Sequence, residues 1–470
     1  MPVKKLSEKC GVVGIYNPLD QVASSTFFSL FALQHRGQES AGIASTDGSN
    51  IYLHKNLGLI NQVFDNSIIS KLKGNIAIGH TRYSTLGQNN LSNSQPLSVS
   101  GSNGELFLGH NGNIINVEEV KQFLQSLKVN SFNTTSDSEL IALLYANAPG
   151  SSWGERSEFV MGKLKGAYSL VMLTKDSLIA VRDPNGIRPL ILGKFREGYI
   201  IASETCALDH IGASFVREID PGETLEIKNN KLLSTSLSGE PRKAALCSFE
   251  QIYLSRPDSI LSGELTYSRR MKMGGVLANE HPVEADMVMS IPDSSTAAAV
   301  GYANESKIPF VEGIVKNRYV GRTFISPDQK LRELGVRVKF NTLGSIIRGK
   351  KIILIDDSIV RGTTTPQVIR MIRDSGAIQI HMRVASPPII STCHFGVDTG
   401  KTSELIAANN SIQEIKELIG ADSLEFLSIE GLKKSINFKD NYCTGCFSKE
   451  YPMQVQKETD KMRFEKVRNG

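Results

Sequence analysis

The sequence has no apolar run approaching the roughly 20 residues that a helix needs to cross a bilayer. Its first residues, MPVKKLSEK, also lack the apolar core of a secretory signal peptide. We therefore expect a cytoplasmic protein with no membrane partner. With 40% hydrophobic and 21% charged residues, the composition is typical of a water-soluble globular protein. The 470 residues are enough for two or three domains with full cores.

Cysteine is also scarce. Six cysteines in 470 residues are too few for a disulfide framework, so thiol chemistry or metal ligation is the better expectation. Two of them, Cys443 and Cys446, stand at the CxxC spacing that is common among metal ligands. That spacing alone leaves zinc, iron–sulfur and redox roles open.

The excess of positive over negative charge is located in one segment. Residues 316–341 hold seven basic and two acidic residues, an excess of five that equals the net charge of the whole chain. No other basic patch with interleaved aromatic residues occurs, so nucleic acid is not an expected partner.

The most informative stretch is KIILIDDSIVRGTTTPQVIRMI, residues 351–372. Ile352–Ile355 predict a buried strand of a parallel sheet, ending at Asp356 and Asp357. A loop follows, and Pro366 indicates the first turn of a helix. Ligands of open α/β sheets bind beyond the carboxyl ends of the strands. A helix N-terminus with threonine hydroxyls suits phosphate, and paired carboxylates suit sugar hydroxyls or Mg²⁺.

The GK[ST] ending of a Walker P-loop is missing, and a strand can also end in two aspartates only to begin a turn. The whole combination, however, resembles the phosphoribosylpyrophosphate (PRPP) signature of the type I phosphoribosyltransferases. The resemblance implies that Asp356 and Asp357 contact the ribose hydroxyls and Mg²⁺. It also implies a PRPP loop that includes Ser358 and holds the 5-phosphate with Arg361, Gly362, Thr363, Thr364 and Thr365.

Two further segments fit this resemblance. PDSST, residues 292–296, lies between an apolar strand and a helix of small residues, and resembles the pyrophosphate loop, with Ser294 able to reach Mg²⁺. On its own PDSST would indicate only a capped helix. The basic segment 316–341 is then expected to be a lid, with Arg322 and Lys339 closing over the pyrophosphate. The alternative is a solvated basic loop.

The first half opens with CGVVGI, an apolar strand that begins at Cys10. If nine residues were removed, Cys10 would carry a free α-amino group with a pKa of roughly 7.7–8, able to activate its own thiol. On this hexapeptide alone, a buried cysteine in an unprocessed chain is an equally good interpretation.

Four polar blocks follow: LQHRGQESAGI (33–43), GHTRYST (79–85), GHNGNI (109–114) and TSDSE (135–139). We expect each to hang between apolar, strand-like runs, which is typical of an active site built from loops on a rigid sheet. Together they resemble the glutaminase domain of the class II amidotransferases, which are N-terminal nucleophile (Ntn) hydrolases.

This second resemblance implies a role for each of five residues. Cys10 would attack the side-chain amide of glutamine, and Asn111 with the N–H of Gly112 would form the oxyanion hole. Arg82 would bind the α-carboxylate of glutamine and Asp137 its α-ammonium. His35 and His80 are expected to orient loops rather than act as the base, and Arg188 to line the route to the second site.

Together the two halves resemble the glutamine PRPP amidotransferases. The resemblance implies an α/β and α+β architecture of two domains, an Ntn hydrolase αββα sandwich followed by a type I phosphoribosyltransferase domain with a parallel sheet. We expect a propeptide at 1–9, cleaved after Lys9, a glutaminase domain at 10–240 and a phosphoribosyltransferase domain at 241–470, separated by the polar segment 232–244.

The implied reaction converts glutamine, PRPP and water to 5-phosphoribosylamine, glutamate and pyrophosphate, the entry step of purine synthesis, with ammonia passing internally. Members of the family differ in whether they carry an iron–sulfur cluster. All four cluster positions are cysteine here, which favours a structural [4Fe–4S] cluster over zinc: Cys247, Cys393, Cys443 and Cys446. Cys206 is left as a buried thiol. Purine nucleotides as feedback inhibitors and a homotetramer are implied as well.

Three rival interpretations have specific requirements. Another class II amidotransferase, such as a glucosamine-6-phosphate synthase, would lack IDDSIVRGTTT. A non-catalytic PRPP-binding regulator would not need the CGVVGI half and would bring a DNA-binding element. In a degenerate scaffold, expected catalytic positions would be lost, whereas all are occupied here.

Overall fold

The protein is described by a computed structural model over residues 10–83, 90–239, 242–317, 338–437 and 441–455. The predicted propeptide and Arg322 of the predicted lid lie outside these residues. Among the described helices, none has both the length and the apolar character needed to cross a membrane.

The first half consists of two antiparallel sheets with helices on their outer faces. Its strands are β1 (Gly11–Tyr16), β2 (Ser40–Thr46), β3 (Ile51–Leu57), β4 (Ile76–Arg82), β5 (Leu97–Gly101), β6 (Gly104–Ile114), β7 (Gly166–Leu173), β8 (Leu178–Arg182), β9 (Ile191–Phe195), β10 (Gly198–Ala202), β11 (Ser214–Glu218), β12 (Glu223–Lys228) and β13 (Lys231–Ser236). Its helices are α1 (Ala23–Ala32), α2 (Ile60–Val63), α3 (Asn66–Ile69), α4 (Val117–Ser126), α5 (Asp137–Asn147), α6 (Trp153–Lys163) and α7 (Cys206–Asp209).

The strand orders are β11-β9-β10-β1-β4-β2-β3 in one sheet and β13-β12-β8-β7-β6-β5 in the other. The two sheets pack face to face, with Val12 and Ile78 of the first meeting Val171 and Leu225 of the second. Helix α1 covers the outer face of the first sheet, and α4 to α6 cover that of the second. The predicted αββα sandwich is confirmed.

Strand β1 is buried on both faces, which accounts for its apolar sequence. Val12 points into the space between the sheets, whereas Val13 and Ile15 pack under α1. Because β4 and β10 flank β1 on both edges, all six of its residues are buried. Cys10, immediately before β1, is thereby held at a fixed position at the end of a central strand.

The second half is built around a parallel sheet. Its strands are β14 (Leu246–Cys247), β15 (Ile260–Leu261), β16 (Glu264–Leu265), β17 (Met287–Ser290), β18 (Ile314–Lys316), β19 (Phe340–Thr342), β20 (Lys351–Asp356), β21 (Gln379–Val384), β22 (Ser423–Phe426) and β23 (Tyr442–Cys443). Its helices are α8 (Thr266–Glu280), α9 (Thr296–Ser306), α10 (Gly344–Ile347), α11 (Thr365–Asp374), α12 (Ile406–Asn409), α13 (Ile412–Ile419), α14 (Ile429–Ser435) and α15 (Gly445–Ser448). A π-helical turn covers Glu250–Leu254.

The parallel sheet has the order β17-β20-β21-β22 and is covered on both faces. Ile353 and Ile355 of β20 share a core with α8, α9 and α14, whereas Ile352 and Leu354 share one with α11 and α13. Burial on both faces accounts for the unbroken apolar run that the sequence predicts. The predicted parallel α/β domain is confirmed.

The expectation that the four polar blocks lie in loops between strands was wrong. Residues 79–82 belong to β4 and residues 109–114 to β6, whereas the block 33–43 follows α1 and continues into β2. The block 135–139 does not lie between strands but leads into α5, which begins at Asp137. The side chain of Ser136 accepts a hydrogen bond from the N–H of Ser138, so it caps a helix instead of ending a strand.

Candidate active sites

Cys10 lies in a buried position at the start of β1. Its Sγ lies 3.6 Å from the carbonyl oxygen of Tyr83, to which it donates a hydrogen bond. Burial raises the pKa of the Cys10 thiol to about 11, although the charge of Arg82 acts in the opposite direction. In the uncleaved chain this thiol is therefore neutral near pH 7 and needs a base to become a nucleophile.

Arg82 ends β4, the strand that pairs with β1. Burial lowers the pKa of its guanidinium, while Cys10, Glu39 and Asp137 raise it. A buried cation is thus held among groups of the opposite sign beside the candidate nucleophile. A guanidinium in this position can bind a carboxylate through two parallel hydrogen bonds.

Asn111 and Gly112 lie on β6, in the second sheet. Asn111 is completely buried, and neither polar atom of its amide has a hydrogen-bond partner among the described residues. Buried amides without partners are rare, and one at this position is available for a ligand oxygen. Gly112 has φ +154°, and a Cβ there would collide with the carbonyl oxygen of Ala167, so only glycine fits.

Asp137 is joined to the same strand. Its Oδ2 accepts a hydrogen bond of 3.0 Å from the N–H of Ile114, and its Oδ1 lies 4.0 Å from Nδ1 of His110. The first turn of α5 is therefore fixed against the strand that carries Asn111. Asp137 is buried close enough to Cys10 and Arg82 to influence the pKa of both.

Three side chains that the sequence did not single out hold this arrangement. Oε1 of Gln95 accepts a hydrogen bond of 2.7 Å from the N–H of His110, and Nε2 of Gln95 donates one of 3.0 Å to Oγ of Ser138. Nδ1 of His110 lies 2.9 Å from the same hydroxyl. His110 and Ser138 lie inside recognised blocks, but nothing in the local sequence around Gln95 marks its role.

The two histidines expected to orient loops each have a polar partner, but His80 lies in β4 rather than in a loop. Nε2 of His80 lies 3.0 Å from the carbonyl oxygen of His110, and burial lowers the pKa of His80 to about 3. His80 is therefore neutral and can donate this hydrogen bond. Nε2 of His35 lies 2.7 Å from Oε1 of Glu204.

The second site lies at the carboxyl end of β20. Asp356 ends the strand, and its Oδ1 accepts a hydrogen bond of 3.0 Å from the N–H of Asp357. Oδ1 of Asp357 accepts one of 2.8 Å from the hydroxyl of Ser358. The continuous segment 356–365 lines a pocket, together with Tyr253 and Ile291.

The loop after the aspartates contains the other predicted PRPP ligands. Gly362, Thr363 and Thr364 lead into α11, which begins at Thr365 and has Pro366 in its first turn. Nε of Arg361 donates a hydrogen bond of 2.9 Å to Oε2 of Glu404. The free N–H groups of the helix N-terminus and these hydroxyls together suit a phosphate.

Ser294 lies in the turn between β17 and α9, which the sheet brings to the same edge as Asp356. The neighbouring Ser295 fixes this turn, because its Oγ donates to the carbonyl oxygens of Ile291 at 2.6 Å and Ile355 at 3.0 Å. The two turns that the sequence predicts to bind phosphate are thus adjacent, at the ends of the paired strands β17 and β20.

Lys339 lies immediately before β19, in the two-stranded ribbon of β18 and β19. Its Nζ lies 5.2 Å from the centre of the Phe340 ring. Lys316, at the end of β18, forms an ion pair with Asp293, next to Ser294. The described part of the basic segment therefore reaches the turn that holds Ser294.

The four cysteines expected to bind a cluster line one apolar cavity. Burial raises the pKa of each thiol, that of Cys443 to about 12, and the pKa values of Cys443 and Cys446 are raised further by the neighbouring cysteines. Within the described ranges, no three His, Cys, Asp or Glu side chains are arranged to hold a single metal ion. Cys206 lies elsewhere, buried in α7, with Sγ 3.9 Å from the carbonyl oxygen of Ala32.

Comparisons with known proteins cover both halves. Residues 80–210 match the family described as a glutamine amidotransferase domain. The chain is 47% identical to an amidophosphoribosyltransferase of Synechocystis sp., over 96% of this chain and 92% of that protein. It is 44% identical to an amidophosphoribosyltransferase of Bacillus subtilis, over 97% of each. A solved structure of the glutamine PRPP amidotransferase from B. subtilis, complexed with ADP and GMP, superposes with a TM-score of 0.90 at 44% identity, over 96% of this chain and 99% of that one.

Proposed function

The chain belongs to the amidophosphoribosyltransferase family, and we propose that its two candidate sites divide the family's reaction between them. The enzyme transfers nitrogen from glutamine to PRPP, giving 5-phosphoribosylamine, glutamate and pyrophosphate, the first step of purine biosynthesis. In our proposal residues 10–240 release ammonia and residues 241–470 consume it, and ammonia passes between the sites inside the protein.

In the glutaminase half, cleavage after Lys9 frees the α-amino group of Cys10, which then takes the proton from the thiol. Sulfur attacks the amide carbon of glutamine, and the protonated α-amino group gives its proton to the leaving nitrogen, so that ammonia departs as the thioester forms. Water then hydrolyses the thioester, which releases glutamate and restores the thiol. The developing oxyanion accepts hydrogen bonds from Nδ2 of Asn111 and the N–H of Gly112. The buried, unpartnered amide of Asn111 is the observation that carries this proposal, since a structural scaffold does not need it.

Two charged residues hold glutamine in place. Arg82 binds the α-carboxylate, and Asp137 pairs with the α-ammonium group. Both are buried near Cys10, and the hydrogen bond from Ile114 to Asp137 keeps the ammonium partner in register with the oxyanion hole.

In the second half, Asp356 and Asp357 bind the ribose hydroxyls of PRPP. Ser358 and residues 361–365 form the loop that receives the 5-phosphate at the N-terminus of α11. Two carboxylates and the hydroxyl of Ser294 at one sheet edge are hard oxygen ligands, which fit Mg²⁺. When bound, Mg²⁺ neutralises charge on the pyrophosphate. The protein groups orient C1 of the ribose toward the incoming ammonia.

Lys339 and Arg322 are proposed to close over the pyrophosphate as parts of a lid. The ion pair between Lys316 and Asp293 supports the lid for its described portion, because it brings the base of the basic segment to the Ser294 turn. Closure would exclude water, which would otherwise hydrolyse both PRPP and the amine product.

The cavity lined by Cys247, Cys393, Cys443 and Cys446 fits a [4Fe–4S] cluster better than zinc. Four sulfur atoms bound to one Zn²⁺ would lie roughly 3.8 Å apart, given Zn–S distances of about 2.3 Å. No such single-ion arrangement occurs among the described side chains, whereas four thiols around an apolar cavity suit a larger group. The cluster's role would be structural, tying β14 and the Cys393 loop to the C-terminal segment.

Regulation and assembly complete the proposal. Purine nucleotides are proposed as feedback inhibitors, in keeping with the ADP and GMP in the B. subtilis complex. We further propose a homotetramer located in the cytoplasm.

The deciding experiment uses one anaerobically purified sample. Intact mass reports the N-terminus, and product assays report PRPP turnover with glutamine and with ammonia. The proposal predicts a mass lacking nine residues, both turnovers, and glutamine hydrolysis that PRPP and Mg²⁺ increase. A fully active enzyme with an intact leader would refute the role of the Cys10 amine, and a processed, cluster-loaded protein with neither turnover would refute the whole assignment.

A further inference from the structure

A cluster of four fully buried charged side chains lies where the two halves meet: Arg36, Arg188, Glu204 and Glu250. Their formal charges cancel. Breaking such a cluster costs much more than replacing it with apolar residues, so its presence is weak evidence of a role in stability alone. Its contacts instead reach both candidate active sites.

Toward the glutaminase site, the cluster acts through Arg36. Nη2 of Arg36 donates a hydrogen bond of 2.8 Å to Oε2 of Glu250, and Nε of Arg36 donates to Glu204. The next residue, Gly37, packs directly on the backbone of β4, where a Cβ would lie 2.5 Å from the carbonyl carbon of Thr81. The N–H of Glu39 then donates to the carbonyl oxygen of Arg82 at 3.1 Å. The position of Arg36 therefore sets that of the residue proposed to bind glutamine.

Toward the PRPP site, the cluster acts through the π-helical turn that Glu250 begins. π-Helical turns are rare and occur frequently at functional sites. Tyr253, inside this turn, lines the same pocket as Asp356 and Asp357. Oε2 of Glu250 also accepts a hydrogen bond of 2.8 Å from the hydroxyl of Ser255, directly after the turn.

Arg270 extends this connection to the acidic pair. Its Nε donates to the carbonyl oxygen of Gln251 at 2.9 Å, and its Nη2 to that of Ser255 at 2.7 Å. Burial lowers the pKa of Arg270 to about 10, and the nearby charge of Asp357 opposes that shift. Arg270 therefore holds both ends of the π-helical turn, and this turn places Tyr253 in the pocket lined by Asp357.

Glu250 is shared with a third segment. Its Oε1 lies 3.4 Å from Nη1 of Arg188, whose Nε donates to the carbonyl oxygen of Phe395 at 2.9 Å. Phe395 in turn donates its N–H to Sγ of Cys393 at 3.4 Å. One carboxylate therefore joins the segment 36–39, the PRPP pocket and the cysteine-lined cavity.

We propose that Glu250 is a positioning residue that couples the two active sites. It holds Arg36 through one carboxylate oxygen and the π-helical turn through Ser255. PRPP binding at Asp357 then shifts the Arg36 loop toward the arrangement in which Arg82 binds glutamine. The inference rests on the proposed function and adds the residue through which occupancy of one site reaches the other.

Glu250→Gln tests the proposal directly, because glutamine keeps the shape but removes the charge and turns an N–H group toward an arginine. Ser255→Ala is the milder variant and removes only the hydroxyl, leaving the backbone carbonyl that binds Arg270. Ser435→Ala is the matched control, since it deletes a buried hydroxyl bonded at 2.7 Å to the carbonyl oxygen of Gly431 in α14, away from the cluster.

The measurement is the KM for glutamine and kcat of glutamine hydrolysis, with and without PRPP and Mg²⁺, beside ammonia-dependent turnover of PRPP. Couplings between sites typically change affinity by about 5- to 150-fold. We expect PRPP to lower the glutamine KM by a factor in this range in the wild type and in Ser435→Ala. In Glu250→Gln and Ser255→Ala we expect that factor to fall toward one, while ammonia-dependent turnover is kept.

A full PRPP effect on the glutamine KM in Ser255→Ala, or in a folded Glu250→Gln, would overturn the proposal. So would a loss of both half-reactions in equal proportion in Ser255→Ala, because that is the mark of a merely structural role. If Glu250→Gln does not fold, Ser255→Ala decides alone. Failure of the proposed function itself would be recognised separately, by a wild type that turns over PRPP with neither glutamine nor ammonia.

Discussion

Cys247 and Cys443 are directly opposed residues of the parallel pair formed by β14 and β23, although they come from opposite ends of the second half. Cys446 follows in α15, and the N–H groups of Ile390 and Ser391 donate to its carbonyl oxygen at 3.0 and 3.1 Å. These backbone hydrogen bonds bring the Cys393 loop to the same cavity. Backbone hydrogen bonds therefore bring the four cysteines to one cavity.

Replacing Cys443 with serine should remove iron and acid-labile sulfide from anaerobically purified protein, because a buried hydroxyl is a poor substitute for a thiolate ligand. Cys206→Ala is the control, since this thiol is more deeply buried than Cys443 but lies in α7, away from the four cysteines that line the cavity. It should keep full iron and sulfide content. Zinc without sulfide in the wild type would contradict the cluster.

Replacing Asn111 with alanine should lower kcat for glutamine hydrolysis by about 10²- to 10³-fold, the usual effect of losing one oxyanion-hole donor. Ammonia-dependent turnover of PRPP should not change, because Asn111 lies in the other half. Asn116→Ala is the control: its amide is also buried, but it binds the backbone of residues 163 and 165. If Asn111→Ala lowered hydrolysis no more than Asn116→Ala does, the assignment of Asn111 to the oxyanion hole would be wrong.

How much the sequence predicted depends on the range of the contacts. The strand, acidic pair, loop and helix from β20 to α11 are contiguous, so periodicity and turn chemistry were sufficient. Gln95 and Glu250 were missed because their roles lie in partners distant in sequence: Gln95 bonds Ser138, and Glu250 bonds Arg36. Local patterns carry no signal for such pairs. The block at 135–139 was misplaced because a capping serine resembles any loop serine until the helix is seen.

The leader should control the pH dependence of glutamine hydrolysis. A free α-amino group is protonated below its pKa of roughly 7.7–8, so the base is lost and the rate should fall as the pH drops through that range. With the leader attached, burial holds the thiol pKa at about 11 and no amine is present, so hydrolysis should be negligible at pH 7.

The test compares pH–rate profiles of the processed chain and of one that retains the leader. Cys10→Ser in the processed form is the control for background hydrolysis. Equal rates at pH 7 for the two forms would contradict a role for the amine.

Substitutions in the basic segment 316–341 should affect only the turnover of PRPP. Replacing Arg322 and Lys339 together with alanine should lower PRPP-dependent turnover with either nitrogen source, because charge on the departing pyrophosphate is less well neutralised. Replacing Lys350 and Lys434, which are exposed lysines elsewhere, removes the same net charge and should have little effect. Unchanged PRPP-dependent turnover in the variant lacking Arg322 and Lys339 would contradict the lid.

Asp357→Asn should raise the KM for PRPP and nearly abolish turnover with ammonia, because an amide is a weaker partner than a carboxylate for ribose hydroxyls and Mg²⁺. Basal glutamine hydrolysis without PRPP should persist, since Cys10 and Asn111 lie in the other half. Asp422→Asn removes the same charge near the opposite end of the sheet, where it pairs with Arg373 at 2.6 Å, and should leave the KM unchanged. An equal rise in KM in both variants would mean that overall charge, rather than the acidic pair at the end of β20, governs PRPP binding.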